Sequence, residues 1–381
     1  METDLKEVRE NIDRIDDKIV ELYLKRMEVV SLVAQKKREL NSPVTDAERE
    51  SKILYRLTKN LPDEFKIYLK EVYSAIFTTS KAYQAKKTGV KGETAKRLSL
   101  ALKDGQKQFP ASAAVACQGV EGSNSRAAAR KLFPILDISY FKTFEGVFSA
   151  VDKGFCEYGI LPIENSTAGS VNEVYDLMKK YDFCIVRSVR LKINHCLCAV
   201  SGVELKDVKR VVSHPQALSQ CEKYLSKRGF DIVAAENTAT AAKNLAESKD
   251  AHTAVLCSED CAAIYGLKIL ERAVQNSSAN YTRFICIGKK TEVFAESNKI
   301  SVMTSLKHEP GSLNKILARF SALGLDLTKI ESRPIESSPF EFMFYFDFDG
   351  NVADEKVVSL ISDMEADSDK FTFLGCYREI I

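Results

Sequence analysis

The apolar residues at the start of the chain recur as Leu5, Val8, Ile12, Ile15, Ile19, Leu22, Val29 and Val33, in steps of three and four that fit one face of a long helix. Drawn over residues 4–40, that helix is about 55 Å long, more than the width of a compact domain of this size. It is therefore expected to lie against a second copy of the chain, in a homodimer or homotetramer. After Asn41-Ser42-Pro43, the run Thr45-Asp46-Ala47-Glu48 fits a capping box that opens a second helix. A third helix, roughly 63–87, carries Phe65, Leu69, Val72, Ile76, Thr79 and Tyr83 on one face, with Gln84 beside the stripe. These three make an all-α segment over residues 1–88.

The period then changes. Residues 86–111 are rich in Lys and Gly and read as a join, as does the polar run 289–298. Between them, short apolar runs such as Ala113-Ala114-Val115-Ala116-Cys117 alternate with helical stretches, an α/β pattern over residues 111–290. Residues 297–381 open with a strand at 300–306 and turn through Pro310-Gly311-Ser312 into a helix with Leu313, Ile316, Leu317 and Phe320 on one side. Phe340, Phe342, Phe344, Phe346 and Phe348 then alternate with Glu341, Met343, Tyr345, Asp347 and Asp349, a period-2 strand with one face to the core. Two further elements complete a ferredoxin-like α+β unit, βαββαβ. The whole is multidomain.

Composition narrows the classes. A chain of 381 residues, 45% apolar and 28% charged, is neither disordered nor collagen-like. Lys+Arg 55 against Asp+Glu 53 leaves a net charge of +2, so no global basic field points to nucleic acid. No run of about 18 apolar residues occurs and the start is charged, so neither membrane nor secretory signal is expected and the location is expected to be cytoplasmic. The 10 cysteines lie mostly in apolar runs without a C-x-x-C pair, which fits reduced, buried thiols. Cys257, Cys261 and His252 are the one ligand-like cluster, and they lack the second pair of a zinc site, so no metal is expected.

Two sets of residues carry chemistry. Counting sevens from Leu5 puts Arg26 in the apolar seam, and Lys37 shares that face about 16 Å away. Buried cations without anions cost several kcal/mol each. The pair is thus held by an internal salt bridge, snorkels near a helix end, or lines a pocket for a small anion. In the middle segment, Gly119-Val120-Glu121-Gly122-Ser123-Asn124-Ser125 fits an anion-tolerant helix start or a plain tight turn, and lacks the middle glycine of a dinucleotide fingerprint. Polar loops follow at strand ends: Glu164-Asn165-Ser166-Thr167, His195-Cys196, Ser213-His214-Pro215-Gln216 leading to Gln220, Glu236-Asn237-Thr238-Ala239 and Asn280-Tyr281-Thr282-Arg283. Each could be a helix cap or turn, but together they predict a polar cleft.

The spacing of Arg9, Arg26, Lys37, Asp46, Arg49, Glu50 and Gln84 resembles the all-helical chorismate mutase domain, a swapped dimer of three-helix chains. The resemblance implies that Arg26, with Arg9 from the partner chain, grips the carboxylates of chorismate. Lys37 and Gln84 would donate to the ether oxygen, Glu50 would hold the ring hydroxyl, and Asp46 and Arg49 would complete the substrate site. The Pro162-Ile163-Glu164-Asn165-Ser166 run, Ser-His-Pro-Gln, Glu-x-Thr-Ala and Thr-Arg-Phe are similar to the prephenate dehydratase domain, two α/β lobes like a type 2 periplasmic binding protein. Val120 and Asn124 stand where that family more often has Pro and an aromatic. The likeness implies that Thr282 faces the departing hydroxyl and that Arg283 binds a carboxylate. Asn165, Ser213 and Gln220 would position substrate, with Glu164 and Glu236 orienting those donors.

Residues 297–381 resemble an ACT regulatory domain. By that likeness Gly311, Ser312, Leu313, Asn314, Glu331, Ser332, Arg333 and Pro334 would bind phenylalanine, with Ser312 in place of the usual alanine. The combination implies a bifunctional chorismate mutase–prephenate dehydratase of phenylalanine biosynthesis, using no metal or organic cofactor and inhibited by phenylalanine. The alternatives are an arogenate-preferring dehydratase and a non-catalytic small-molecule sensor that kept the cleft and the ACT module.

Overall fold

The structure, a computed structural model, describes residues 5–40, 46–88, 92–103, 107–306, 309, 311–335 and 338–381. The chain begins with helices α1 (Leu5–Glu39), α2 (Ala47–Thr58), α3 (Asp63–Thr88) and α4 (Glu93–Lys103). An α/β stretch follows: β1 (Ser112–Gln118), α5 (Asn124–Leu132), β2 (Ile135–Phe141), α6 (Phe144–Asp152), β3 (Tyr158–Asn165), β4 (Gly169–Ser170), α7 (Asn172–Tyr181), β5 (Cys184–Lys192) and β6 (Cys196–Ala199). It continues with β7 (Arg210–Ser213), α8 (Pro215–Gln220), α9 (Glu222–Ser226), β8 (Asp231–Ala234), α10 (Thr238–Ser248), β9 (Thr253–Cys257), α11 (Glu259–Ile264), β10 (Lys268–Glu271) and β11 (Tyr281–Gly288). The tail is β12 (Lys299–Ser305), α12 (Ser312–Ala322), β13 (Leu327–Ile335), β14 (Ser338–Asp349), α13 (Glu355–Ala366) and β15 (Phe371–Ile380), the expected βαββαβ order.

The chain forms two compact units, one of Met1–Lys96, Leu306–Gly324 and Asp354–Asp369, the other of Arg97–Ser305, Leu325–Ala353 and Lys370–Ile381. In the first unit α1 packs against α3, burying Val30, Ala34 and Phe77. The N-terminal half of the α1 seam has no such cover: Ile12 is 51% and Ile19 57% exposed. The cap of α2 is Asp46, whose carboxylate accepts from Arg49 N at 2.9 Å. That is one residue later than the expected capping box, and Thr45 lies outside the described residues. Helix α4 occupies the stretch read above as a polar join. Its first turn is tied down because Thr94 N and Oγ1 donate to the Glu365 carboxylate at 3.2 and 3.0 Å. The signal for it was the i, i+3 pair Ala95 and Leu98, both buried.

In the second unit, the described strands form a ten-stranded sheet, β13-β14-β12-β15-β5-β11-β3-β1-β2 with β4 on β3, and a five-stranded sheet, β10-β6-β9-β7-β8. The first four strands of the large sheet keep the ferredoxin-like order, and β15 joins them to the α/β strands by pairing in parallel with β5. This explains a departure from expectation. Phe346 and Phe348 are buried on one face of β14, but Met343 and Tyr345 on its other face enter the same apolar cluster as Val174, Tyr175 and Ile285. Both faces are core. The second supposed join is also partly core, with Phe294 buried against Phe109 at a ring separation of 5.2 Å. All ten cysteines are free and buried, as expected.

The seam between β15 and β5 is close. A Cβ at Gly375, where φ is 153°, would stand 2.2 Å from the Ile185 carbonyl oxygen. A buried ion pair lies in the same sheet: Arg283 Nη1 donates to Asp347 Oδ2 at 2.6 Å, with side chains 8% and 6% exposed. Burial raises the Asp347 carboxyl, but Arg283 and the Ser301 hydroxyl outweigh it and hold the group below its usual range.

Two outcomes are expected in urea titrations of the full chain. Gly375→Ala should destabilise the second unit by about 1–3 kcal/mol. Asp347→Asn, which leaves Arg283 buried without its main counter-charge, should cost about 3–5 kcal/mol. A depressed carboxyl stabilises above its unfolded pKa, so the wild-type contribution should be complete at neutral pH and fade only below about pH 4.

Candidate active sites

In the helical unit, α1 and α3 bring together Arg26, Ser80, Phe77 and Gln84. The half-buried Arg26 guanidinium donates to Ser80 Oγ and lies 6.0 Å from the Phe77 ring centroid. Gln84 is 8% exposed, and its Oε1 has no hydrogen-bond partner among the described residues. A buried amide left half satisfied fits a place that a ligand completes. Lys37 is half-buried on the same face of α1, about 16 Å further along the helix, and Glu50 of α2 pairs with Lys81 at 3.1 Å. Asp46 and Arg49 sit in the exposed first turn of α2. Arg9 is exposed on α1, about 26 Å from Arg26 along the helix at 1.5 Å per residue. Within one chain it stands apart from the group.

In the second unit a polar network joins the ends of β3 and β11 to α8. Backbone N–H groups of Thr167 and Ala168 donate to Asn165 Oδ1 at 3.0 and 2.9 Å, so the other end of that amide is NH2. Asn165 Nδ2 donates to Thr282 Oγ1 and to Asn280 Oδ1, both at 2.9 Å. Asn280 Nδ2 donates to Gln220 Oε1 at 2.9 Å, and Gln220 Nε2 donates to Thr167 Oγ1 at 2.9 Å. The Thr167 hydroxyl closes the ring on Asn165 Oδ1 at 2.7 Å. His195 is 4% exposed, with Nε2 3.0 Å from Gln220 Oε1 and Nδ1 without a partner among the described residues. Burial lowers the His195 pKa, against the opposing pull of the Gln220 bond, which fits a neutral ring. Thr167, Gln216, Gln220, Gln275 and Asn280 line a cleft of about 300 Å³.

The sequence named Asn165, Gln220 and Thr282 for this centre and gave no role to Thr167, Asn280 or His195. Asn280 could have been found, because it precedes Thr282 by two positions at a strand and so shares its side. The role of His195 could not, since its contact is with a residue of another element. Ser213 is fully buried and donates to Leu256 O at 2.8 Å, which holds it in the small sheet rather than at the cleft. Glu236 is exposed. The polar run before α7 does not cap that helix, whose N-cap is Val171 without a side-chain bond. The Gly119–Gly122 loop is a tight turn followed by the N-cap Ser123.

Arg283 differs most from expectation. Adjacent to Thr282 on β11, it points to the other face and is engaged by Asp347, with Glu164 and Glu379 each 3.7 Å away. The chain's own carboxylates surround its charge, with Asp347 the hydrogen-bonded partner, while Arg283 Nε has no hydrogen-bond partner among the described residues. Glu164 also meets Lys329 at 3.2 Å, and Lys329 meets Glu331 at 3.1 Å. Burial works against the Lys329 ammonium, but Tyr175 and Glu164 raise its pKa. Of the expected effector residues on β13, Glu331 also accepts from Ser170 Oγ, and Arg333 donates to Asn172 O at 3.2 Å, with Ser332 and Pro334 between and after them. Gly311, at φ 84°, is the N-cap of α12, followed by Ser312, Leu313 and Asn314.

The Cys257 thiol contacts those of Cys198 and Cys261, while His252 bonds Asp207 O at 3.1 Å, so the ligand-like trio of the sequence is not assembled. Among the described residues no helix is long and apolar enough to cross a membrane.

Residues 8–85 match the family model for chorismate mutase type II, and residues 115–292 match that for prephenate dehydratase. The bifunctional chorismate mutase/prephenate dehydratase of Escherichia coli K12 is 30% identical over 99% of this chain and 96% of its own. Arogenate dehydratase/prephenate dehydratase 2 of Arabidopsis thaliana is 38% identical over 69% of this chain and 72% of its own. Among solved structures, prephenate dehydratase of Arthrobacter aurescens in complex with L-Phe superposes with a TM-score of 0.63 at 27% identity, over 70% of this chain and 89% of that one. With both family models matched in order, and a relative aligned from end to end, the chain belongs to the bifunctional chorismate mutase/prephenate dehydratase family.

Proposed function

We propose that the helical unit rearranges chorismate to prephenate, and that the α/β part converts prephenate to phenylpyruvate under feedback by phenylalanine. The first step is pericyclic, so it needs no nucleophile and no proton transfer. It gains from donors that hold the reactive conformer and stabilise charge around the breaking ether bond. Arg26 and Lys37 supply cations, Gln84 a buried amide and Glu50 an acceptor. Asp46 and Arg49 border the same group from α2. Arg9 reaches it from a second chain, and the uncovered Ile12 and Ile19 seam supports a swapped dimer.

In the second step the bond from ring to carboxylate breaks and its electron pair enters the ring. The ring C–O bond then breaks, and the departing oxygen takes up a proton as water. Thr282 serves as hydrogen-bond donor to that oxygen. One observation carries this reading: Asn165 Nδ2 already occupies an acceptor site of Thr282 Oγ1, so the hydroxyl proton is directed elsewhere. Asn165 and Gln220 position substrate at the cleft. Ser213, Glu164, Glu236 and Arg283 act outside it, Arg283 and Glu164 by fixing the back of β11.

The tail acts as an ACT domain that binds phenylalanine through the Gly311–Asn314 and Glu331–Pro334 segments. The L-Phe complex of the Arthrobacter enzyme supports this, as does the hold of Glu331 and Arg333 on the start of α7, a hold an effector would compete for. Free, buried thiols fit a cytoplasmic setting. Arogenate is a second substrate to assay beside prephenate, because the Arabidopsis relative is named for both.

The test uses the full chain and both reactions. Thr282→Val should lower prephenate turnover at least about 100-fold while chorismate is still converted, so prephenate accumulates. Arg26→Ala should do the reverse. Wild-type dehydratase rates in Thr282→Val would refute the site, and loss of both activities in Arg26→Ala would refute the separation of the two centres.

A further inference from the structure

We infer that His195 and Asn280 are positioning residues of the dehydratase centre, which lock the Gln220 amide so that its NH2 group, and not its carbonyl oxygen, faces the cleft. The inference rests on the assignment of Asn165, Gln220 and Thr282 to that centre. It follows from the direction of each hydrogen bond. The backbone N–H groups of Thr167 and Ala168 fix Asn165 Oδ1 as the acceptor end. Asn280 Oδ1 must then accept from Asn165, and Asn280 Nδ2 must donate to Gln220 Oε1. His195 Nε2 meets that same oxygen at 3.0 Å, so it carries the ring proton and is a second donor.

Gln220 thus has its oxygen held by two donors and one N–H given to Thr167. Its remaining N–H is what the residue can offer to the cleft it lines. For an anionic substrate the distinction is large. A flipped amide would set a carbonyl oxygen against a carboxylate and would lose the donors at the same time. A glutamine on a short helix has no such preference of its own, so the polarity comes from His195 and Asn280.

The test measures prephenate kinetics and, in the same chain, chorismate mutase activity as a control for folding. His195→Leu removes the donor and should raise KM about tenfold or more, with kcat changed less than about threefold. His195→Gln places an N–H near the lost Nε2 and should bring KM back to within about threefold of wild type. An unchanged KM in His195→Leu, or equal damage in the Leu and Gln variants, would overturn the inference. If His195→Leu lacks a cooperative melt, Asn280→Ser carries the same test: a raised KM supports the role and an unchanged KM overturns it. Thr282→Val, run alongside, separates the two readings, since undiminished turnover there means that the centre itself was misplaced.

Discussion

Two backbone N–H groups, those of Thr167 and Ala168, decide which end of the Asn165 amide is oxygen, and the polarity of the proposed dehydratase centre follows from that choice. Each later member of the ring has one donor end and one acceptor end, so fixing the first fixes Asn280, Gln220 and Thr167 in turn. Two protons are left over by the ring, the Thr282 hydroxyl and one N–H of Gln220, of which Gln220 lines the cleft. Both suit a substrate that arrives as an anion and sheds an oxygen. Preorganised donors of this kind do not have to reorient as charge develops, which is where electrostatic catalysis gains most.

The sheet separates this chemistry from its support. Thr282 and Arg283 are neighbours on β11, and strand geometry sends one to the polar ring and the other to a buried charge cluster. On that second face Glu331, Lys329, Glu164 and Arg283 are joined by contacts of 3.1, 3.2 and 3.7 Å. The tail strands therefore touch the back of the strand whose front carries Thr282. The continuity of β15 with β5 makes this possible, and the absence of a side chain at Gly375 makes that continuity possible.

Much of this was legible in the sequence. The heptad steps of α1, the alternation along β14 and the polar loops at strand ends each have a period or a composition that local physics sets. What the sequence does not show shares a cause. The contacts of Arg283, Ser213 and the 86–111 stretch are not legible in it because their partners, Asp347, Leu256 O and Glu365, lie far away along the chain. Arg283 looked like a ligand cation because its counter-charge, Asp347, sat in a run that read as the polar side of a strand. Once both faces of β14 proved buried, that aspartate became an interior anion and Arg283 its partner. The sequence places His195 in a polar loop of the predicted cleft but not its partner, because that contact is with one oxygen of Gln220 on another element.

The tautomer of His195 tests the network most directly. With 4 histidines in the chain, ¹⁵N NMR of histidine-labelled protein can be assigned by loss of one signal set in His195→Gln. The account predicts a neutral His195 ring protonated at Nε2 and bare at Nδ1 at neutral pH. A neutral ring protonated at Nδ1 and bare at Nε2 would mean that Gln220 presents its other end and that the order of donors drawn here is wrong.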